Sequence, residues 1–434
     1  MMRWISALFL AALGLLTGSA LAADCVVRPA SASRPATLYA EPTSQSERVG
    51  TLSPGDSLPF VASLRGWYET RLADGKPAFA AKRSTDVGQC TDSVIAATDQ
   101  STFRLHAIDV GTGLSLFVRG SDFSLMYDAG SNDDLARGTD NRAIAYLKTL
   151  QPLPSRIDYV ILSHPHRDHV ELLPDVIKDF HPKEVWNSGA YNNICGYRDF
   201  LLAIAADPSI KYHTATQGAG NEEIQLPEKR CYGVEQAVQT LTLKHAERIG
   251  DTPVTLGKNA SMTFLYADGS KRPSYNQNSL VVRLDLGPER VLFMGDAEAG
   301  GRKPPESDPS DNSIEGKLLA CCAADLKADV LIVGHHGSET SSRKKFLDAV
   351  GAHIFIISSG PHKYSGIKLP DKVVVTELQS RGRVYETDLN DDACETSPAK
   401  VGPDDDERPG GCDNVLVTIT SGGAITADYR RLAD

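Results

Sequence analysis

The chain has 434 residues, 41% of them hydrophobic and 23% charged, which excludes a wholly disordered protein and leaves room for two or three domains with a sizeable core. A formal net charge of −11 excludes a chain-wide electrostatic footprint for nucleic acid or anionic lipid. A polyanionic substrate would have to be met by metal ions or by a local basic patch.

In chain order, Arg3 precedes the short apolar run "WISALFLAALGLL" and the small residues of "GSALAAD", the layout of a cleaved signal peptide over residues 1–23. "TGSA" interrupts the run before it reaches the roughly 20 residues of a bilayer span. No stable membrane span is therefore expected after cleavage, and Asp24 directly before Cys25 argues against a lipoprotein. The expected location is periplasmic or secreted. Eight cysteines then fall in an oxidising compartment, where an even number points to disulfides. Cys25 with Cys90, Cys195 with Cys231 and Cys394 with Cys412 each bracket one local segment. The adjacent Cys321 and Cys322 could form a vicinal bridge or remain two buried thiols, and the second is the expectation.

Residues 24–90 read as short strands, "ATLYAEP", "ERVGTL", "SLPFVASL", "GWYETRL" and "PAFAAKR", punctuated by the turns "SPGD" and "ADGK". A unit this small often needs a staple, which a Cys25 to Cys90 bridge would supply. The order of these segments around Gly66-Trp67-Tyr68 and Asp74-Gly75 resembles the bacterial SH3-like domain. That resemblance implies a small all-β barrel with a cell-wall or protein contact; the alternative is a spacer or lid for the following domain. The polar stretch 91–102 reads as a linker.

Over 103–434, strand-like runs such as "IDYVILS", "SLVVRLDL", "RVLFMGD", "VLIVGHHG" and "IFIISSG" alternate with the helix-like "DNRAIAYLKTL" and "ELLPDVIKDF". The alternation predicts an α/β domain. "AEAGGRKPPESDPSDNSIEG" and "DDACETSPAKVGPDDDERPGGC" read as inserted loops, with the acidic run at 404–407 solvated.

Three of the 11 histidines crowd into "SHPHRDH", immediately behind the predicted strand "YVILS". Polar chemistry at the end of a strand is where open α/β sheets build their sites. A zinc site needs imidazoles and carboxylates converging within about 2.0–2.2 Å of the ion. His164 and His166 alternate along extended chain and so face one cation, while Asp168 and His169 turn the corner toward a second.

"SHPHRDH" resembles the HxHxDH motif of the metallo-β-lactamase fold, a superfamily of two-metal hydrolases built as an αββα sandwich. The resemblance implies that Asp128 in "LMYDAGS" supports the metal site and that Asp296 in "VLFMGDAE" bridges the metals. It also implies that His335 or His336 in "VLIVGHHGSETSS" supplies the last histidine ligand. "IDVGTG", "GDAE" and "GHHGSETSS" are similar to the hydrolase domain of ComEC-like competence proteins and their secreted relatives. Two divalent ions, zinc or alternatively manganese, are the implied cofactors.

The implied reaction is hydrolysis of a phosphodiester, DNA included, by a hydroxide held between the metals and oriented by Asp168. One of His335 and His336 would bind metal and the other would donate to a phosphate oxygen or protonate the leaving group. Asn278 and Ser338 are candidate substrate contacts, and Gly337 either offers its backbone or only permits the turn. Where the superfamily has a further histidine ahead of the bridging aspartate, this chain reads "RPSYNQNSLVVRL", with Asn276 and Asn278. His181, His213 and His245 are the unplaced candidates to fill that gap, and in "SSGPHKYSGIKLPDKVV" His362 or Lys363 is placed to serve a substrate group. Two other readings stand beside the phosphodiesterase: hydrolysis of a lactam, lactone or thioester, and an exported wall-binding protein with a vestigial metal domain.

Overall fold

The computed structural model describes residues 26–31, 33–64, 67–72, 76–88, 102–134, 136–216, 220–387 and 412–430. The expected signal segment, all but the last residue of the linker, and the acidic run at 404–407 lie outside them, as do Cys25, Cys90 and Cys394. The chain divides into two compact units, Met1–Val61 with Glu69–Ala96, and Ala62–Tyr68 with Ala97–Asp434.

Seven short strands from Val26–Pro29 to Thr85–Gly88 form one sheet. Val27, Ala36, Leu38, Tyr39, Leu52, Ala78 and Ala80 are buried in this unit.

The larger unit is built on two sheets. The first has ten strands, of which five consecutive ones, Ser124–Ala129, Tyr159–Leu162, Glu184–Asn187, Lys211–Thr214 and Gln239–Arg248, run parallel. The second has seven strands, of which Glu289–Phe293, Val330–Ile332, Ile354–Ile357 and Arg383–Glu386 are parallel.

Side-chain alternation along these strands sorts the apolar residues into three layers of core. Leu125, Tyr127 and Ile161 of the first sheet meet Val291, Phe293, Val330 and Ile332 of the second in the central layer. The intervening Met126, Val160 and Leu162 face outward onto helices Arg142–Leu147, Leu173–Phe180 and Cys195–Ala206. On the far side Leu292, Leu331, Phe355 and Ile357 cover helices Ile314–Cys322, Lys344–Val350 and Lys372–Gln379. Helix, sheet, sheet, helix is the resulting order. Because strands buried on both faces carry near-continuous apolar runs, "YVIL" and "IFII" are legible as strands by composition.

Three local details differ from the sequence expectations. The helix predicted from "DNRAIAYLKTL" is confined to Arg142–Leu147, where the Asn141 side chain accepts from Ala143 N and Ile144 N and fixes the start. The histidine motif itself forms one helical turn, Arg167–Val170, ahead of Leu173–Phe180. Cys321 and Cys322 are bonded to each other, which corrects the expectation of two buried thiols. Helix Ile314–Cys322 buries Ile314, Glu315 and Leu318, and the two cysteines fall outside that face. Cys195 and Cys231 are bonded, with Cα atoms 5.6 Å apart. Among the described residues no helix is long and apolar enough to cross a membrane.

The sheets are tied by Tyr127, whose buried hydroxyl donates to Leu280 O at 2.7 Å, 153 residues away. Replacing Tyr127 with Phe leaves that carbonyl short of its donor. We expect a loss of about 1–3 kcal/mol, read as a lower urea midpoint with an unchanged slope.

Candidate metal centre

Every side chain of the centre lies just past the carboxyl end of a strand, the position at which parallel sheets leave backbone polar groups and loops facing a crevice. His164, His166, Asp168 and His169 come after Tyr159–Leu162. Asp296 comes after Glu289–Phe293, and His335 and His336 after Val330–Ile332. The turn packs tightly against its neighbours: a Cβ on Gly130 would lie 2.2 Å from His169 N.

Two groups of ligand-type atoms result. His164, His166 and Asp296 form one; Asp168, His169 and His336 form the other, with the ligand atoms of each within 4.8 Å of one another. Asp296 stands between them. Its Oδ2 is 3.6 Å from His164 Nε2, and its Oδ1 is 3.1 Å from His169 Nε2 and 3.5 Å from His336 Nε2.

The inward nitrogens are set by what the outward ones bind. His169 Nδ1 lies 2.8 Å from Asp128 Oδ2, and His336 Nδ1 lies 2.7 Å from Ser358 O. Both rings must donate there, so Nε2 is the atom each aims at the centre, with a lone pair whenever the ring is neutral. His164 Nδ1 lies 3.0 Å from Ser163 Oγ. Asp128 also accepts from Ser163 N and Ser163 Oγ, at 2.6 and 2.7 Å.

The charges are balanced locally. Burial, with His169 beside it, holds His164 well below the ordinary imidazole range. At His169 burial also opposes a charge, but Asp296 and Asp128 outweigh it and push the ring well above that range. Asp296 is held well below the carboxylate range because His169 and His336 outweigh its burial.

The donor set fits a cation, as its own unmade bonds show. His169 Nε2, His336 Nε2 and Asp296 Oδ1 are buried, and none has a partner in hydrogen-bonding geometry. Buried polar atoms are rarely left so. Three of them converging among imidazoles and carboxylates are what a divalent metal requires.

The adjacent histidines separate. His336 is buried within the second group, whereas His335 is a fifth exposed and sits with Nε2 3.9 Å from Asp296 Oδ2. His335 Nδ1 is 2.5 Å from Thr340 Oγ1 and 3.4 Å from Glu298 Oε1, and its Nε2 is 3.2 Å from Asn276 Nδ2. Both residues have positive φ, 49° and 52°, which turns two neighbouring side chains in different directions. Gly337 comes next at φ 73°, where a Cβ would lie 2.7 Å from Pro370 Cβ, so its glycine is needed for the turn.

Asn278 and Ser338, expected to touch substrate, are turned into their own loops. Asn278 Nδ2 donates to Asp268 O and Ser270 O, and Ser338 Oγ accepts from Arg302 and Thr340. His181, His213 and His245 join neither ligand group; His213 stacks on Trp186 and bonds Glu184.

Several partners were not legible in advance. Tyr364 donates to Asp168 Oδ2, which also accepts from Asn132 Nδ2 at 3.1 Å. "PHKYSG" carried a signal for its charged residues, but which side chain points inward depends on a hairpin register that the spacing does not fix.

Residues 108–228 match the Metallo-beta-lactamase superfamily. The segment contains the histidine turn, and the larger unit has the α/β metallo-beta-lactamase fold, whose members are typically metal-dependent hydrolases. The chain is 25% identical to "Recombination protein 2" of Haemophilus influenzae over 282 residues, 64% of this chain and 26% of that protein. It is 31% identical to "Competence protein ComA" of Neisseria gonorrhoeae over 128 residues, 29% of this chain and 16% of that protein. The chain thus spans about a quarter or less of the length of these relatives. Among solved structures, the metallo-beta-lactamase fold protein YhfI from Bacillus subtilis aligns over 66% of this chain and 97% of its own, at 15% identity and a TM-score of 0.35.

Asp128→Asn removes the charge and leaves one acceptor oxygen for the three donors that now share two, loosening the His169 ring, and outer partners of this kind typically change metal affinity by about 10–100-fold. Competition with a chromophoric chelator should show that loss. Asp296→Ala should lower bound metal from about two equivalents to one or none by elemental mass spectrometry.

Proposed function

We propose that this protein is an exported, metal-dependent phosphodiesterase acting on nucleic-acid strands, with zinc as the physiological ion and manganese as a competent substitute. The observation that carries the reading is the carboxylate of Asp296 set between two ligand groups, with buried, unpartnered nitrogens facing it. The names of the relatives, a recombination protein and a competence protein, support a DNA-related substrate. The charge pattern of residues 1–23 and the Cys195–Cys231 bond support an oxidising, extracytoplasmic location. The SH3-like resemblance of residues 24–90 supports a wall or protein contact.

His164, His166 and Asp296 would hold one cation, and Asp168, His169 and His336, with Asp296 shared, the other. When bound, such a pair supplies Lewis acidity toward the phosphoryl oxygens and makes water acidic enough to ionise near neutral pH. The side chains do the rest. Asp168, fixed by Tyr364 and Asn132, accepts a hydrogen bond from the attacking water and aims it. His335, with Glu298 beside Nδ1, is the donor to the leaving oxygen once Nε2 gives up the hydrogen bond it accepts from Asn276 Nδ2 and carries a proton of its own.

Treatment with EDTA should abolish hydrolysis of bis-p-nitrophenyl phosphate, and zinc or manganese should restore it. Metal-replete protein inert on phosphodiesters but active on nitrocefin or a lactone would overturn the reading. His335→Gln should keep its metal yet lose about 10²–10⁴-fold in kcat on a dinucleotide. The loss should be far smaller on the p-nitrophenyl ester, whose leaving group needs no proton.

A further inference from the structure

Three imidazoles of the centre are fixed from outside by a hydrogen bond: His164 by Ser163 Oγ, His169 by Asp128 and His336 by Ser358 O. His166 is not. Among the described residues its one hydrogen-bonding partner is His164, whose Nε2 lies 2.9 Å from His166 Nδ1 inside the same ligand group. It is half-buried, while the other five members of the two groups are buried. The backbone around it is well held, since His166 O accepts from His169 N and Val170 N, and Pro165 O accepts from Asn192 Nδ2 at 2.8 Å. The freedom that remains is that of the ring.

Besides His164, the ring meets Tyr275. The two centroids are 5.6 Å apart with the planes at 89°, the edge-to-face arrangement that aromatic pairs favour at about 4.5–7 Å. Tyr275 is itself secured at both ends. Its backbone opens the helical turn Tyr275–Asn278, where Ser274 Oγ accepts from Asn276 N at 3.2 Å, and its hydroxyl donates to Tyr191 O at 2.9 Å. An anchored phenol thus stands where the other histidines have an outer hydrogen-bond partner.

The two ligand groups are unequal in a second respect. Asp168, His169 and His336 with Asp296 Oδ1 offer four donors, and Asp168 is held by Tyr364 and Asn132. His164 and His166 with Asp296 offer three. His335, whose Nε2 is 3.9 Å from Asp296 Oδ2, is engaged by Asn276 and stays outside that group.

Resting on the two-cation reading of the centre, we propose that Tyr275 is the positioning residue of His166, and that the cation position of His164, His166 and Asp296 is the weaker, exchangeable one. A ring held by packing turns about its χ angles more easily than a ring tied by a hydrogen bond, and outer partners set metal affinity. Asp168, His169, His336 and Asp296 therefore fill first. Hydrolysis needs both positions, so it follows the free metal concentration through the position that His166 completes.

The test is zinc titration of the metal-free full chain against a chromophoric chelator, with bound metal counted by elemental mass spectrometry. The wild type should bind in two steps separated by at least about tenfold, the lower end of what one missing outer partner costs. Tyr275→Leu, or Tyr275→Met should the first variant not fold, should weaken the second step by a further factor of about ten. The first step should stay unchanged, which also reports that the variant is folded. Tyr275→Phe, which keeps the ring, should remain close to wild type, and His166→Ala should lose the second step alone. Equal steps in the wild type would overturn the proposal, as would a folded Tyr275 variant without the ring that moves the first step or moves neither. A wild-type protein that binds no more than one cation would overturn the two-cation reading along with it. Unequal steps governed by Tyr275 in a protein that hydrolyses no phosphodiester would instead overturn the phosphodiesterase reading and leave the role of Tyr275 standing.

Discussion

The buried carboxylate of Asp128 accepts hydrogen bonds from Ser163 N, Ser163 Oγ and His169 Nδ1, and through them joins the end of one strand to both ends of the histidine turn. Asp128 itself sits at φ 56°, where the pairing of Ser124–Ala129 with Ser115–Arg119 shifts register between Tyr127 and Ala129. That irregularity re-aims a side chain which regular alternation would have sent elsewhere. Burial raises the Asp128 carboxyl while His169 and Ser163 pull it down. A carboxylate in this balance holds a ring in place without being consumed by the chemistry. The two sheets depend on the same point, since Leu280 N donates to Ser163 O while Leu280 O receives Tyr127.

Ligands drawn from the two sheets meet at Asp296, and again where His336 Nε2 comes within 3.7 Å of Asp168 Oδ2. The first sheet brings the histidine turn; the second brings Asp296 and the paired histidines. Neither half has a complete donor set. Ser279 links them once more, accepting from Asp296 N at 3.0 Å and lying 3.4 Å from His164 Nδ1. Asn276 and Gln277 meanwhile turn to Glu298, in the stretch around Asn276 and Asn278 where the resemblance leads one to expect a further histidine. The local consequence is an amide-carboxylate cluster around His335 in place of a further imidazole.

Much of the fold was readable because the strands are buried on both faces and their apolar runs stand out against polar loops. "YVILS", "VLFMGD" and "VLIVGHHG" marked both the strands and the polar residues directly behind them. The ligand residues were readable for a related reason: chemistry placed at the end of a buried strand leaves a polar cluster abutting an apolar run. The unreadable part depended on contacts between distant segments. Asn278 and Ser338 carry the right atoms for a substrate, but loop closure engages them internally. Nothing in the sequence singles out Tyr364, which the hairpin register brings to Asp168. The cysteines show the same limit, since Cys195 and Cys231 were suggested by the segment they bracket, whereas the state of Cys321 and Cys322 depended on which helix face is covered.

Consecutive left-handed residues are tolerated poorly outside glycine, at about 1–2 kcal/mol each, yet His335 and His336 both adopt that backbone. Their conformation is imposed by the surroundings: His335 N donates to Gly295 O, Ser341 Oγ bonds Gly334 O, and buried Glu315 accepts from Ser342 N and Arg343 N just beyond. Those contacts over-determine the turn, and its backbone strain is held only while they last. Site geometry and foldedness are therefore separable quantities in this protein, since loosening these few contacts would let the paired histidines leave the centre while both sheets stay packed.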